Sequence, residues 1–286
     1  MASRDVPAFI SLVTETTGAT GIAWIGHSEG TIQMFASASE SNPTEEQALA
    51  LSKVKIFAAL APVAYVSNMA SKVLVGLLNS PLLEDMYNRG KHITVCPCCI
   101  FLFLIHVSLS LFYLFLTGLY EILPYGPVDA FASQFCQEHD LGCDFFLMAI
   151  CGPTQHLNTS RIQVYVSETP AGTSTRNLQH WQQGVFVDTF QKYDFGSEEE
   201  NIAHYGQAVP PLYDLGKLSV PTALFAGGHD YLADPKDVQK ILNEAPADKI
   251  VLYDYVETYA HLDYTWGYDA NVNVYDKVLN VIGQYI

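Results

Sequence analysis

The most constraining feature of this sequence is the Gly-His-Ser-Glu-Gly turn at residues 26–30. An apolar run, Ile22 to Ile25, comes directly before the turn, and a segment with helical spacing, Thr31 to Ser39, follows it. This order predicts a strand, a sharp turn and a helix, which is the arrangement that exposes a serine hydroxyl at the head of a helix. We therefore expect Ser28 to have strained backbone geometry and to be a nucleophile.

The glycines and the helix start fit the same chemistry. A Cβ at Gly26 or at Gly30 is expected to collide with neighbouring backbone, which explains both glycines. The free N–H groups and the dipole at the start of the following helix favour negative charge that develops on a bound acyl group. A serine hydroxyl is nevertheless a poor nucleophile, so a base and an orienting carboxylate are required elsewhere in the chain.

Two late loops provide those partners. Asp230 follows an apolar strand at Thr222–Ala226, and His261 follows a strand that ends at Tyr255. In folds with this serine turn the chain order is serine, acid and histidine, with the last two on loops after strands, so we assign Asp230 as the acid and His261 as the base. The alternatives are an N-cap for Asp230, a role that Asp234 fits better, and a surface position for His261.

Three neighbouring residues are weaker candidates. His27 is expected to pack beside the serine, and His229 is expected to lie on the turn before the acid. Asp263 is a poor alternative acid, because it would have to reach His261 from two residues away.

Strands and helices alternate at both ends of the chain. This alternation predicts an α/β fold with a mostly parallel sheet covered by helices on both faces. We assign residues 1–64 and 221–286 to this core and the irregular region 65–220 to an inserted cap. The predicted elements, apart from those around the serine turn, are a helix at Pro7–Thr16 with Asp5 as N-cap, a strand at Val54–Leu60, a helix at Pro235–Asn243, a strand at Lys249–Tyr255 and a helix at Asn271–Tyr285.

One segment does not fit this pattern. Residues 92–120 contain no Asp, Glu, Lys or Arg, and the segment is long enough to span a bilayer. Pro97, His106, Ser108 and Ser110 within it argue against a span. We expect an apolar cap helix or sequence foreign to the fold, and a transmembrane helix is the alternative.

Composition limits the partners. The chain has 14 Lys and Arg against 30 Asp and Glu, a net charge of −16, which repels nucleic acid and disfavours electrostatic docking on anionic membranes. The first residues, Met1 to Phe9, contain no apolar run of signal-peptide length, so no secretory signal is expected in them. We expect no cofactor.

The cysteines form two groups. Cys96, Cys98 and Cys99 lie near His92 but have no second pair of ligands, so we expect no metal site. A Cys136–Cys143 bridge that closes a small loop is favoured instead, with Cys151 as a buried thiol. Asn158 begins an Asn-Thr-Ser glycosylation sequon, which matters only on a secretory route.

At these residues the sequence resembles the acid lipase family of the α/β-hydrolases, which comprises the gastric and lysosomal acid lipases. The resemblance implies that Ser28 is the nucleophile, Asp230 the acid and His261 the base. It also implies a neutral lipid ester as substrate, a cap over an apolar acyl-binding cleft, and a secreted or lysosomal location. Cys136 and Cys143 fall where the family has its cap disulfide. Further segments in family order are 59–64, 158–161, 170–174, 180–181, 193–194, 210–213, 227–235 and 259–263.

The chain departs from the family pattern in two ways. Glu29 stands where the family usually has Gln, although the backbone N–H of this residue is what an oxyanion requires. In this fold the nucleophile follows the fifth strand, whereas the residues before Ser28 leave room for one helix and one strand. The chain thus resembles the C-terminal portion of a lipase that lacks the N-terminal strands, which would impair activity. The alternative is a non-catalytic lipid-binding fragment or pseudoenzyme.

Overall fold

The computed structural model describes residues 1–80, 121–122, 136, 140–167, 169 and 172–286. In chain order its strands are β1 (Ile22–His27), β2 (Val54–Leu60), β3 (Glu121–Ile122), β4 (Thr173–Ser174), β5 (Thr222–Gly227) and β6 (Ile250–Val256). The main sheet is parallel throughout, with the spatial order β1-β2-β5-β6. The predicted α/β class, with a parallel sheet flanked by helices, is confirmed.

The helices lie before, between and after these strands. They are α1 (Asp5–Thr17), α2 (Glu29–Ala38), α3 (Glu45–Ser52), α4 (Lys72–Leu78), α5 (Asp140–Cys151), α6 (Ile162–Tyr165), α7 (Thr175–Phe186), α8 (Glu198–Tyr205), α9 (Pro235–Glu244), α10 (Asp263–Trp266) and α11 (Asp276–Ile282). Short 3₁₀ turns lie at Thr159–Arg161 and Leu215–Lys217, and a π-helical turn at Asn271–Tyr275 leads into α11.

The core forms around the two inner strands. Every residue of β5 is buried, and six of the seven residues of β2 are buried, in keeping with their nearly unbroken apolar sequences. Phe35 of α2 packs edge-on against Phe57 of β2, with ring centroids 5.0 Å apart. The outer strands β1 and β6 are only partly buried, with exposed positions such as Ile25 and Tyr253.

Three local details differ from the sequence-based prediction. Helix α1 has Arg4 at its N-cap, and Asp5 already lies inside the helix because its N–H donates to the carbonyl of Met1 (2.8 Å). Helix α3 was not predicted, although it begins with a complete capping box between Thr44 and Gln47. The predicted C-terminal helix at Asn271–Tyr285 is a π-helical turn followed by a shorter α-helix.

The chain divides into two compact units. The first contains residues 1–71, 150–157 and 184–286 and holds the whole main sheet. The second contains residues 72–149 and 158–183. The assignment of 65–220 to one cap region stays a prediction.

The described part of the second unit contains a disulfide. Cys136 and Cys143 are bonded, and their side chains pack with Ile162 and Val166 in a small apolar cluster. Strands β3 and β4 pair antiparallel in this unit. None of the helices in the described part of the chain combines the length and the hydrophobicity that a membrane span requires. The apolar run 92–120, with Cys96, Cys98 and Cys99, lies outside the described residues.

Candidate active site

Ser28 occupies the sharp turn between β1 and α2. Its φ is 54° and its ψ is −116°, a left-handed geometry that costs free energy in a residue with a Cβ. Two hydrogen bonds hold the turn, since the Ser28 N–H donates to the carbonyl of Leu60 on β2 (3.1 Å) and the Thr31 hydroxyl donates to the carbonyl of Ser28 (2.6 Å). The strained serine predicted from the turn motif is therefore observed.

The two glycines of this turn have different surroundings. A Cβ at Gly26 would lie 2.6 Å from the carbonyl oxygen of Gly30, so only glycine fits at residue 26. A Cβ at Gly30 would meet no atom within 4 Å beyond its own helix. The expectation that both glycines avoid a backbone clash is thus wrong for Gly30, because residue 30 already lies inside α2 and faces open space.

Asp230 lies on the loop after β5 and is 1% exposed. Its Oδ1 accepts hydrogen bonds from the backbone N–H groups of Leu232 (2.9 Å) and Ala233 (2.8 Å). These donors compensate the loss of water around the carboxylate. The N-cap of α9 is Asp234, whose side chain accepts from the N–H of Lys236 (2.8 Å).

Glycines bring the Asp230 loop against the loop after β6. A Cβ at Gly227 would lie 2.3 Å from the carbonyl oxygen of Tyr259, and one at Gly228 would lie 2.4 Å from that of Glu257. Any larger residue at either position would push the two loops apart. The Gly-Gly pair therefore sets the distance between the acid loop and the loop that carries His261.

His261 connects the other two residues. Its Nδ1 lies 3.0 Å from each carboxylate oxygen of Asp230, and its Nε2 lies 2.7 Å from the Oγ of Ser28. The side chain is buried, with 3% exposure. The three predicted residues thus meet in one hydrogen-bonded line at the carboxyl ends of β1, β5 and β6, where parallel α/β sheets hold their ligands.

His27 packs beside this line without bonding to the serine. Its Nε2–H donates to the backbone carbonyl of His261 (2.8 Å), and the two imidazole rings are 5.0 Å apart. Burial, together with the positive charge that His261 can carry, lowers the pKa of His27 to about 4. His27 is therefore a neutral hydrogen-bond donor to the backbone at His261 over most of the pH range.

The remaining candidates have other partners. The Nδ1 of His229 lies 3.1 Å from the carbonyl of Pro153. The carboxylate of Asp263 accepts from the N–H of Ala260 (2.7 Å) and the hydroxyl of Thr154 (2.7 Å). Glu29 is the first residue of α2, which places its backbone N–H at the helix N-terminus.

Sequence reasoning missed the segment from Cys151 to Leu157. It belongs to the same compact unit as the main sheet and bonds to the loops that carry Asp230 and His261. The adjacent Gly152 and Pro153 were a local turn signal, and Gly152 has a φ of +106°. The partners of this segment are far away along the chain, so no local pattern identifies them.

Cys151, the predicted buried thiol, begins this segment, and Asn158, the candidate glycosylation residue, directly follows it. Cys151 is a free, buried cysteine whose pKa is raised to about 12 by burial and the nearby carboxylates of Asp230 and Asp263. Asn158 is exposed, and its side-chain oxygen accepts a hydrogen bond from the hydroxyl of Ser160 (2.7 Å).

Comparison with known proteins identifies the relatives of this chain. The chain is 34% identical over 288 residues to gastric triacylglycerol lipase of Homo sapiens. This alignment covers 99% of this chain and 63% of the relative. It is 31% identical over 290 residues to lysosomal acid lipase/cholesteryl ester hydrolase of Homo sapiens, and 33% identical to lipase member K of Homo sapiens, each over 100% of this chain and 63% of the relative.

No family model matches the chain. It spans about 63% of the length of these curated relatives. The alignments with them span 99–100% of the chain. The chain is therefore homologous to the gastric and lysosomal acid lipases.

Proposed function

We propose that this chain is a serine hydrolase that cleaves neutral lipid esters, either triacylglycerols or sterol esters. The observation that carries the proposal is the hydrogen-bonded line in which His261 lies 2.7 Å from the Ser28 hydroxyl and 3.0 Å from both Asp230 oxygens. These distances match those that general-base activation of a serine requires. The substrate class is taken from the relatives, which are a triacylglycerol lipase and a cholesteryl ester hydrolase.

In the acylation step the Nε2 of His261 accepts the proton of the Ser28 hydroxyl while Oγ attacks the ester carbonyl carbon. Asp230 accepts the Nδ1–H bond, holds the ring in the required tautomer and stabilises the imidazolium. The imidazolium then gives its proton to the leaving alcohol as the carbon–oxygen bond breaks. Water deacylates the enzyme in the same way, with His261 as base and Ser28 as the leaving group.

The negative charge that develops on the carbonyl oxygen needs a donor. The backbone N–H of Glu29 is placed at the N-terminus of α2, where the helix dipole also favours an anion. Its contribution as an oxyanion donor is part of the proposal. The side chain of Glu29 lies 3.5 Å from the amide nitrogen of Gln33.

Hydrolysis of p-nitrophenyl butyrate tests the reaction class. We expect measurable turnover by the unmodified chain and loss of at least about 10³-fold in Ser28→Ala. Ser52→Ala is the matched control, because this serine is exposed and its hydroxyl donates to the carbonyl of Leu49 in its own helix. Equal rates for the unmodified chain and Ser28→Ala would contradict the proposal. Emulsions of trioleoylglycerol and of cholesteryl oleate then decide between the two lipid classes.

We also propose a secreted or lysosomal location. The Cys136–Cys143 disulfide supports it, since disulfides persist in oxidising compartments, and the exposed Asn158 sequon fits the same route. Peptide N-glycosidase treatment of the protein from its native source should lower its apparent mass, and Asn158→Gln should remove that shift. No shift in the unmodified protein would contradict glycosylation at this residue.

A further inference from the structure

The segment Cys151–His156 contacts both of the loops that hold Asp230 and His261. The carbonyl of Cys151 accepts hydrogen bonds from the backbone N–H of His261 (3.1 Å) and, more weakly, from that of Tyr231 (3.4 Å). Gly152 lies so close to the acid loop that an added Cβ would sit 1.8 Å from the carbonyl oxygen of His229. One short segment thus contacts the backbone next to the acid and the backbone of the base.

The same segment reaches the His261 loop a second time, through Thr154 and Asp263. The Thr154 hydroxyl donates to Oδ1 of Asp263 (2.7 Å), and Oδ2 of Asp263 accepts from the N–H of Ala260 (2.7 Å). Ala260 is the residue directly before His261. The Thr154 oxygen itself accepts from the backbone N–H of His156 (2.9 Å), so both hydrogen-bonding functions of this hydroxyl are used.

We propose that Thr154 is a positioning residue for the base: its hydroxyl fixes the carboxylate of Asp263, which in turn fixes the backbone at Ala260 and His261. This inference rests on the proposed function of His261. The Asp263 carboxylate is completely buried, so it keeps its charge and its place only while donors surround it. Two of those donors are the side-chain hydroxyl of Thr154 and the backbone N–H of Ala260.

The electrostatic surroundings give the contact a pH signature. Burial raises the pKa of Asp263, and the hydrogen bonds from Ala260 and Thr154 oppose that rise. Removing the Thr154 hydroxyl is therefore expected to raise the pKa of Asp263 further. The other titratable groups near this carboxylate are His156, Asp269, Cys151, Tyr259 and Tyr264.

Hydrogen–deuterium exchange tests the proposal without any need for activity. In Thr154→Val we expect the amides of Ala260 and His261 to exchange about tenfold faster, because a hydrogen bond to a charged group is lost. Thr154→Ser restores the hydroxyl and should restore protection. Thr222→Val is the matched control. It removes a buried hydroxyl at the start of β5, which donates to the carbonyl of Val220 (2.8 Å). It should leave these two amides unchanged.

Kinetics provides the second readout. For Thr154→Val we expect kcat to fall about tenfold with KM changed less than about twofold, and the acidic limb of the rate profile to move to higher pH. If Thr154→Val does not fold, Thr154→Ala is compared with Thr154→Ser in the same way. Unchanged exchange at Ala260 and His261 would overturn the proposal, as would equal effects of Thr154→Val and Thr222→Val on them. Absence of turnover in the unmodified chain would instead reject the proposed function. The exchange rates of Ala260 and His261 would then still decide whether Thr154 positions this backbone.

Discussion

Strands β1 and β5 each bring one residue of the Ser28, His261 and Asp230 line to the same end of the sheet, but they do so in different surroundings. Strand β5 lies between β2 and β6, and all six of its residues are buried. Strand β1 pairs only with β2 in the described sheet, and Ile25 on it is 54% exposed. Asp230 therefore follows a strand in the interior of the described sheet, whereas Ser28 follows a strand at its edge.

The hydrogen bonds of the two residues do not follow this difference in burial. Ser28 is held by residues near the turn, with Thr31 beside it and Leu60 on the neighbouring strand. Asp230 is held by N–H groups of its own loop and by His261 from the loop after β6. A substitution in the sheet interior should thus affect stability first, and one in the turn should affect activity first.

The largest effect is expected at the acid. Asp230→Asn should lower kcat by about 10³- to 10⁴-fold, because an amide neither stabilises the imidazolium nor holds the required tautomer of His261. Steady-state hydrolysis of p-nitrophenyl butyrate measures this. Asp234→Asn is the control, since Asp234 caps α9 and should leave kcat nearly unchanged. Similar losses in both variants would contradict the assignment of Asp230.

The next effect separates the two strands. Leu224 on β5 is completely buried, so Leu224→Ala should lower the free energy of unfolding by about 2–5 kcal/mol. Ile25→Ala on β1 should lower it by less than about 1 kcal/mol, because the side chain is half exposed. Urea unfolding followed by circular dichroism measures both. Equal losses would mean that β1 and β5 do not differ as described.

The turn gives a third, smaller effect. Gly26→Ala places a Cβ 2.6 Å from the carbonyl of Gly30 and should lower kcat at least about tenfold by displacing Ser28. Gly30→Ala faces open space, and it should leave kcat within about twofold. The same ester assay compares the two variants. A comparable loss in Gly30→Ala would show that both glycines are required, as the sequence motif alone suggested.

The smallest effect concerns pH. The pKa of His27 is lowered from 6.5 to about 4, so the unfolded chain binds more protons than the folded chain between these values. The free energy of unfolding should therefore fall as pH decreases from about 6.5 to about 4. The shifted pKa of His27 should lower it by about 2 kcal/mol at about pH 4.5. Asp263, whose pKa is raised, acts in the opposite direction in every variant that retains it.

His27→Gln isolates this contribution. The loss of unfolding free energy between about pH 7 and about pH 4.5 should be about 2 kcal/mol smaller in the variant than in the unmodified chain. Urea titrations at several pH values provide the comparison. Parallel pH profiles for the two proteins would contradict the depressed pKa of His27.

Local signals in the sequence were sufficient for much of the fold. The bounds predicted for the strand at Val54–Leu60 agree with β2, because an apolar run ends there at Pro62. The serine turn was predicted because its glycine, its strand and its helix are adjacent. Contacts between distant parts of the chain were not predictable in this way. Thr154 bonds to Asp263, which is 109 residues away, and nothing in either sequence neighbourhood indicates the other.

The most direct test of the central claim is reaction with a fluorophosphonate followed by peptide mass spectrometry. The reagent forms a bond from phosphorus to an activated serine oxygen and releases fluoride, so it reports the nucleophile without any choice of substrate. We predict one adduct, on the peptide that contains Ser28, and its loss in His261→Gln. Labelling of a different residue, or undiminished labelling of Ser28 in His261→Gln, would contradict the account.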